Sequence, residues 1–180
     1  MPITPEHIRE TVTEYVDAHP AEKAELAVVL ERLDRGEDLT SRKTFPLHIT
    51  AGAVLINDSG DVLFIRHNAL GKYLTPGGHL EADDVNLMGA ALRELTEETG
   101  IRADIAPLAS SPVHIDMHDI PANHAKGEPA HQHADVRYLF RTTGPVDVTL
   151  QEEEVSGAEW RSANTVTDET LRKRVLAAIR

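Results

Sequence analysis

The chain has no cysteine among its 180 residues. Disulfides, thiolate metal sites and a cysteine nucleophile are therefore excluded. Aromatic residues make up only 4%, and basic residues are outnumbered, 18 Lys+Arg against 30 Asp+Glu, for a formal net charge of -12. Such a balance repels a polyanionic backbone unless a basic patch overrides it. No Lys/Arg cluster or alternation of basic and aromatic residues supplies one, so no nucleic-acid polymer is expected as a partner. A phosphorylated small molecule would need divalent cations to mediate its contact. No apolar run reaches the roughly 18–20 residues of a membrane helix. The opening MPITPEHIRE lacks the basic start and apolar segment of a secretory signal. A cytoplasmic protein with no membrane partner is the expectation.

What is present is ordered by hydrophobic period. Residues 4–35 read as helix: Thr4-Pro5-Glu6 is a good helix start, and Ile8, Val12, Tyr15 and Val16 recur at helical spacing. His19-Pro20 interrupts the pattern, Leu26, Val29, Leu30 and Leu33 resume it, and Gly36 ends it. A helical hairpin over 1–40 is expected, covering a sheet edge or forming the interface of a homodimer. After a polar linker the pattern turns to strands. LHITAGAVLIN and DVLFIR flank Asp58-Ser59-Gly60, which reads as a β-hairpin. Further strands are expected near 105–109, 113–119, 134–141 and 158–161, and a closing helix over 168–179 bears Leu171, Val175, Leu176 and Ile179. With no internal repeat, this order predicts a mixed α/β sandwich over 45–180.

Between the strands stands PGGHLEADDVNLMGAALRELTEETGI, residues 76–101. Asp83 or Asp84 is a natural N-cap and Gly100 a natural C-terminal stop for a helix over 85–99. At about 100° per residue, with Arg93 as zero, Glu97, Glu94 and Glu98 fall near 40°, 100° and 140°. Met88, Ala91, Leu92 and Leu95 occupy roughly 160° to 260°. Three carboxylates thus share an arc beside the apolar face. Hard divalent cations take several converging oxygens, which this spacing supplies. A lone acidic helix face is more often simply solvated. Arg93 reaches Glu97 at i+4 and would hold one carboxylate in place.

Taken with Pro76-Gly77-Gly78, the run Arg93-Glu94-Leu95-Thr96-Glu97-Glu98-Thr99-Gly100-Ile101 resembles the Nudix hydrolase family. That family's box is Gly, five residues, Glu, seven residues, then Arg-Glu-apolar-x-Glu-Glu-x-Gly-apolar. The second half matches throughout. In the first half the sixth position after Gly78 is Asp84, and eight residues separate it from Arg93, so Asp84 and Glu81 compete for the first acid's place. The resemblance implies a Nudix-type α/β/α sandwich with a mixed sheet. It also implies metal-dependent hydrolysis of a diphosphate linked to another moiety in a small nucleotide-type substrate. By position Glu94, Glu97, Glu98 and the carbonyl of Gly77, in a tight Gly-Gly turn, would hold Mg²⁺ or Mn²⁺, with Arg93 bracing the catalytic carboxylates. For the general base, Glu94 is preferred over Glu98 and the acidic run 152–154.

Two other classes share the fold. Isopentenyl-diphosphate isomerases rely on a catalytic cysteine, absent here. Non-catalytic Nudix-fold domains that bind a ligand to control a partner often lose box carboxylates, and this chain keeps all three. The Pro and Tyr positions downstream of the box that mark ADP-ribose and dinucleoside polyphosphate hydrolases hold neither residue; Asp116 and Met117 stand there.

Five of the ten histidines lie between 114 and 133. In HIDMH, strand alternation puts His114, Asp116 and His118 on one face; in HQHADVRYLF it groups His131, His133, Asp135 and Arg137. If the two strands pair, these residues form one polar surface. It would serve as a substrate pocket, a transition-metal site of His-x-His type, or an ordinary polar sheet face.

Overall fold

In the computed structural model, which describes residues 2–68, 71–102, 104–151 and 155–179, the chain's ordering element is the strand β1, Leu47–Ile56, all ten residues of which are buried. A strand buried on both faces must be central, and β1 is. It pairs antiparallel with β2 (Asp61–His67) across the Asn57–Gly60 turn. It also runs parallel to β7 (His131–Thr142) in a ladder from Leu47↔Gln132 to Ile56↔Arg141. The short strands β3 (Lys72–Leu74) and β5 (Ile105–Pro107) complete the path β3-β2-β1-β7-β5. Off this path, β4 (Gly77–His79) pairs with β1, β6 (His114–Ile120) with β7, and β8 (Val155–Ser162) with β2.

Side-chain alternation on β1 and β7 assigns the layers. Leu47, Ile49, Ala51, Ala53 and Leu55, with Ala134, Val136, Tyr138 and Phe140, share one core with α1 (Pro5–Ala18), α2 (Lys23–Asp34) and α3 (Leu87–Thr99). Val54, Ile56 and Leu139, with Val62 and Phe64, pack under α4 (Glu169–Ile179) through Leu171 and Val175. The result is the mixed α/β sandwich expected. On the α4 side the apolar cover stops short, and the sheet there carries His48, Thr50, Gly52, His133, Asp135 and Arg137. No helix among the described residues is long and apolar enough to cross a membrane.

The N-terminal hairpin forms as its period implied. Thr4 caps α1 by accepting from the His7 N–H, and Ile8, Val12, Tyr15, Leu26, Val29 and Leu33 are buried in the larger core. It also braces α3. His7 Nε2 accepts the Leu87 N–H at 3.2 Å, and the Ile3 N–H donates to the Asp84 carbonyl at 3.0 Å.

Three local expectations need correcting. The central helix begins at Leu87, and its cap is Asn86, whose side chain accepts from the Gly89 N–H at 2.7 Å. Asp84 is drawn instead toward Arg93. Gly77-Gly78 is a strand rather than a turn, with Gly77 opposite Gly52 and Gly78 opposite Ala51. Gly77 is required there, because a Cβ would stand 2.9 Å from Gly52 Cα. The strand boundaries also move, β7 starting at His131 and β8 at Val155, since pairing with β1 and β2 extends strands that propensity alone ends sooner.

Candidate active site

α3 presents its acidic arc where the sequence spacing put it. Leu87, Ala90, Ala91 and Leu95 face the core, and Gly100, at φ 70°, closes the helix with its N–H on the Thr96 carbonyl. Arg93 organises the carboxylates. Its Nε and one terminal nitrogen bind the two oxygens of Asp84 at 2.9 and 3.0 Å. The other terminal nitrogen reaches Glu94 at 2.9 Å and Glu97 at 2.8 Å, and the remaining donor meets the His79 carbonyl at 2.9 Å. A guanidinium has five N–H donors, and all five are engaged. Hydrogen bonding to Asp84 first, with the Glu94 charge, raises the Arg93 pKa further above its already high value. Asp84, 6% exposed, also accepts the Glu81 N–H at 2.7 Å. Glu81 itself stays mostly exposed, 3.9 Å from Arg93. Of the two acids competing for the first place, Asp84 makes the close contacts with Arg93.

Glu98 is 2% exposed and accepts the Gly77 N–H at 3.0 Å, tying α3 to β4. Glu94 lies against Gly78, where a Cβ would meet its carboxylate at 2.6–2.8 Å. A side chain at position 78 would push that carboxylate away from the strand. Glu94, Glu97, Glu98 and Gly77 are thus gathered along the edge between α3 and β4. The Gln151 N–H reaches the Glu98 carbonyl at 3.4 Å; the acidic run 152–154 that follows lies outside the described residues.

The histidine-bearing strands do pair, with His114↔Arg137, Asp116↔Asp135, His118↔His133 and Ile120↔His131. The polar surface they form is nevertheless divided. Arg137 binds Asp135 at 2.7 Å and Asp116 at 3.3 Å, and Thr50 donates to Asp135 at 3.1 Å. Burial works against the Arg137 charge, but the Asp135 and Asp116 carboxylates outweigh it. That charge is therefore neutralised in place. His118 bonds Asp116 at 3.0 Å, which raises the imidazole pKa and lowers that of the carboxyl.

His114, with a ring nitrogen within 4.8 Å of an Asp116 oxygen, also reaches a second network. Its Nδ1 lies 3.1 Å from the Tyr15 hydroxyl and 3.5 Å from Glu22, and its Nε2 lies 3.5 Å from Asp168. Arg174 joins Tyr15 and Glu22 in the same network, and burial pushes the Tyr15 hydroxyl up to about 12. The network fastens the N-terminal hairpin and α4 to the start of β6, a use the sequence pattern did not reveal.

His48 and His79 join His118 and His131 around His133. Strand pairing sets His48 opposite His133, and His79 opposite Thr50. The His48 ring centroid is 4.6 Å from that of His133, 5.2 Å from His79 and 5.0 Å from His131. Sequence reasoning passed over both residues, although the period-2 pattern of β1 puts His48 on the face of Thr50. Burial first, then the neighbouring imidazoles, pushes His133 down to about 3. Burial, with Arg42 and His48, pushes His79 down to about 4, and burial also lowers His48.

Acid sensitivity follows from these directions. Free histidine titrates near 6.5, so below that pH the unfolded chain binds protons that folded His133 and His79 refuse. Stability is expected to fall as pH drops from about 6.5 toward 4. The raised His118 acts oppositely: its contribution is complete below about 6.5 and is lost as pH rises through its folded value. Urea unfolding near neutrality and at about pH 5 checks the sum. His133→Gln should flatten the acid-side slope, and an unchanged slope would count against neutral, buried rings.

A sequence model of the NUDIX domain matches residues 46–179. A probable DHNTP pyrophosphohydrolase of Lactococcus lactis subsp. cremoris is 31% identical over 155 residues, 86% of this chain and 84% of that protein. Phosphatase NudJ of Escherichia coli is 46% identical over 61 residues, 33% of this chain and 39% of that protein. Among solved structures, a C. elegans Ap4A hydrolase binary complex superposes with a TM-score of 0.55 at 18% identity, covering 72% of this chain and 95% of that one. A NUDIX-family hydrolase from Clostridium perfringens gives 0.53 at 19% identity, covering 73% and 95%. The two structural likenesses speak for the fold alone. With the family match across most of its length, a relative above 30% identity and a complete Arg93–Gly100 signature, the chain belongs to the Nudix family.

Proposed function

We propose that the chain is a divalent-metal-dependent pyrophosphohydrolase acting on a diphosphate linkage in a small nucleotide-type substrate. The observation that carries this reading is the Arg93 clamp. Through it Glu94 and Glu97 are held side by side, while Glu98, on the same helix, is tied to the glycine strand β4 by the Gly77 N–H. Arg93 offsets part of the repulsion among these carboxylates, and a bound metal cation would offset the remainder. The donor set is all oxygen, as a hard cation prefers, and the missing Cβ of Gly78 leaves the Glu94 carboxylate room beside the backbone. The residues fit Mg²⁺ or Mn²⁺, which Glu94, Glu97, Glu98 and the Gly77 carbonyl would hold. Such an ion, when bound, neutralises phosphate charge and acidifies a water ligand.

The chain's own residues do the remainder. Glu94 is assigned as the base that takes the proton of the attacking water. Arg93 is a positioning residue: it fixes Glu94 and Glu97 relative to each other and to the His79 carbonyl. Glu98 keeps α3 against β4 through Gly77. The name of the Lactococcus relative supports pyrophosphohydrolysis and puts DHNTP among the substrates to try.

The test is turnover across nucleoside diphosphate derivatives, nucleoside triphosphates and dihydroneopterin triphosphate, with products identified. Removing divalent ions with a chelator is expected to abolish hydrolysis, and returning Mg²⁺ or Mn²⁺ to restore it. Full activity in chelator would refute metal dependence. Tight binding without any turnover would favour a ligand-sensing domain instead.

A further inference from the structure

We infer that His48, His79 and His133 form a second metal site, selective for a transition metal ion of the zinc type. It is separate from the carboxylate cluster on α3 and stands independently of the proposed hydrolysis. The three imidazoles come from three adjacent strands, β1, β4 and β7, and one ring nitrogen from each lies within 4.8 Å of the other two. Nitrogen-only sets of this kind suit Zn²⁺ and its neighbours, whereas Mg²⁺ prefers oxygen. Three histidines leave a fourth position for a water or a substrate donor, the pattern of open zinc sites.

The second observation concerns His48. The residue is 1% exposed. Its Nδ1 lies 3.1 Å from the Thr44 carbonyl, which only accepts, so Nδ1 carries the proton and Nε2 a lone pair. That Nε2 is buried with no hydrogen-bond partner. A buried polar atom left unsatisfied costs roughly 1–3 kcal/mol and calls for an explanation. A bound cation supplies one.

His131 adds an outer support. Its Nδ1 lies 2.8 Å from the Pro129 carbonyl and its Nε2 lies 3.2 Å from His133 Nε2. The carbonyl fixes the proton on His131 Nδ1, so His131 Nε2 accepts and His133 donates. Ring nitrogens of metal-binding histidines are commonly oriented by such outer partners. Neutral imidazoles, as metal ligation requires, are what burial of this group favours. The site shares its sheet face with Thr50 and Asp135.

Zinc binding to the full-length chain, in buffer with enough Mg²⁺ to occupy the carboxylates, tests the inference by calorimetry and by Co²⁺ absorption. One equivalent of Zn²⁺ is expected per chain, and Co²⁺ should develop the visible bands of a four-coordinate, nitrogen-rich ion. Losing a ligand should weaken binding by more than the roughly 10–100-fold that loss of an outer partner costs. His48→Ala removes a wholly buried ring, so His79→Ala, at a partly exposed position, is the parallel variant, with circular dichroism certifying its fold. Glu97→Gln should leave the zinc equivalent in place. No zinc equivalent in the wild type overturns the site. So does one that persists in folded His79→Ala or disappears in Glu97→Gln.

Discussion

Glutamine in place of Glu97 or of Glu98 is expected to lower turnover by about 100-fold or more, because metal assistance contributes several kcal/mol and about 1.4 kcal/mol is a factor of ten. Each substitution keeps the side chain's size while removing one anionic oxygen from the proposed ion-holding set. The fold should survive both. Glu98 uses one oxygen to accept the Gly77 N–H, and a glutamine amide retains an oxygen for that bond. Glu97 is half exposed and pairs only with Arg93 among its described ion pairs, so its loss should cost no more than about 1 kcal/mol. Steady-state rates alongside urea unfolding separate the two effects. Near wild-type rates in both folded variants would remove these glutamates from the site. A slow Glu98→Gln protein that had also lost much of its stability would mark Glu98 as a structural tie.

That distinction shows where sequence reading stops. The carboxylate arc of α3 is legible because helical spacing is local: Arg93, Glu94, Glu97 and Glu98 lie within two turns and their directions follow from the helix period. The partner of the clamp is not. Asp84 looks like an N-cap, and what removes it from that role is Arg93 reaching back across the loop, while Asn86 takes the cap. β4 is invisible for a related reason. Gly77-Gly78 has the composition of a turn, and becomes a strand only because β1 lies alongside it.

The histidines divide the same way. Alternation along β6 and β7 predicts which residues share a face, and a short connection makes their pairing a natural guess. His48 joins His133 through the parallel β1–β7 ladder, a contact between segments some eighty residues apart that no local pattern encodes. His114 obeys the alternation, yet its ring is taken by Tyr15 and Glu22 of the N-terminal hairpin and Asp168 before α4. Strand period assigns a face; it does not say which distant side chain will occupy it.

Arg93→Ala is expected to cost about 3–5 kcal/mol of stability, the usual range when one partner of a buried ion pair is removed. Asp84 would lose both of its guanidinium bonds and keep the Glu81 N–H among its described donors. With total stabilities near 5–15 kcal/mol, urea unfolding should register this as a large drop in midpoint. Adding Asp84→Asn removes the stranded charge, so the double variant should lose less than the two single losses summed. A single-variant loss below about 1 kcal/mol would mean that the clamp contributes no more than a surface pair. Arg93→Lys keeps a positive charge but has three donors on one nitrogen rather than a planar fork. It cannot hold both Asp84 oxygens while also reaching Glu94, Glu97 and the His79 carbonyl. The lysine variant therefore isolates positioning from charge. If Arg93 merely steadies the fold, the folded lysine protein should need no more Mg²⁺ than the wild type for half-maximal rate. If it sets the spacing of Glu94 and Glu97, that Mg²⁺ requirement should rise even where stability is retained.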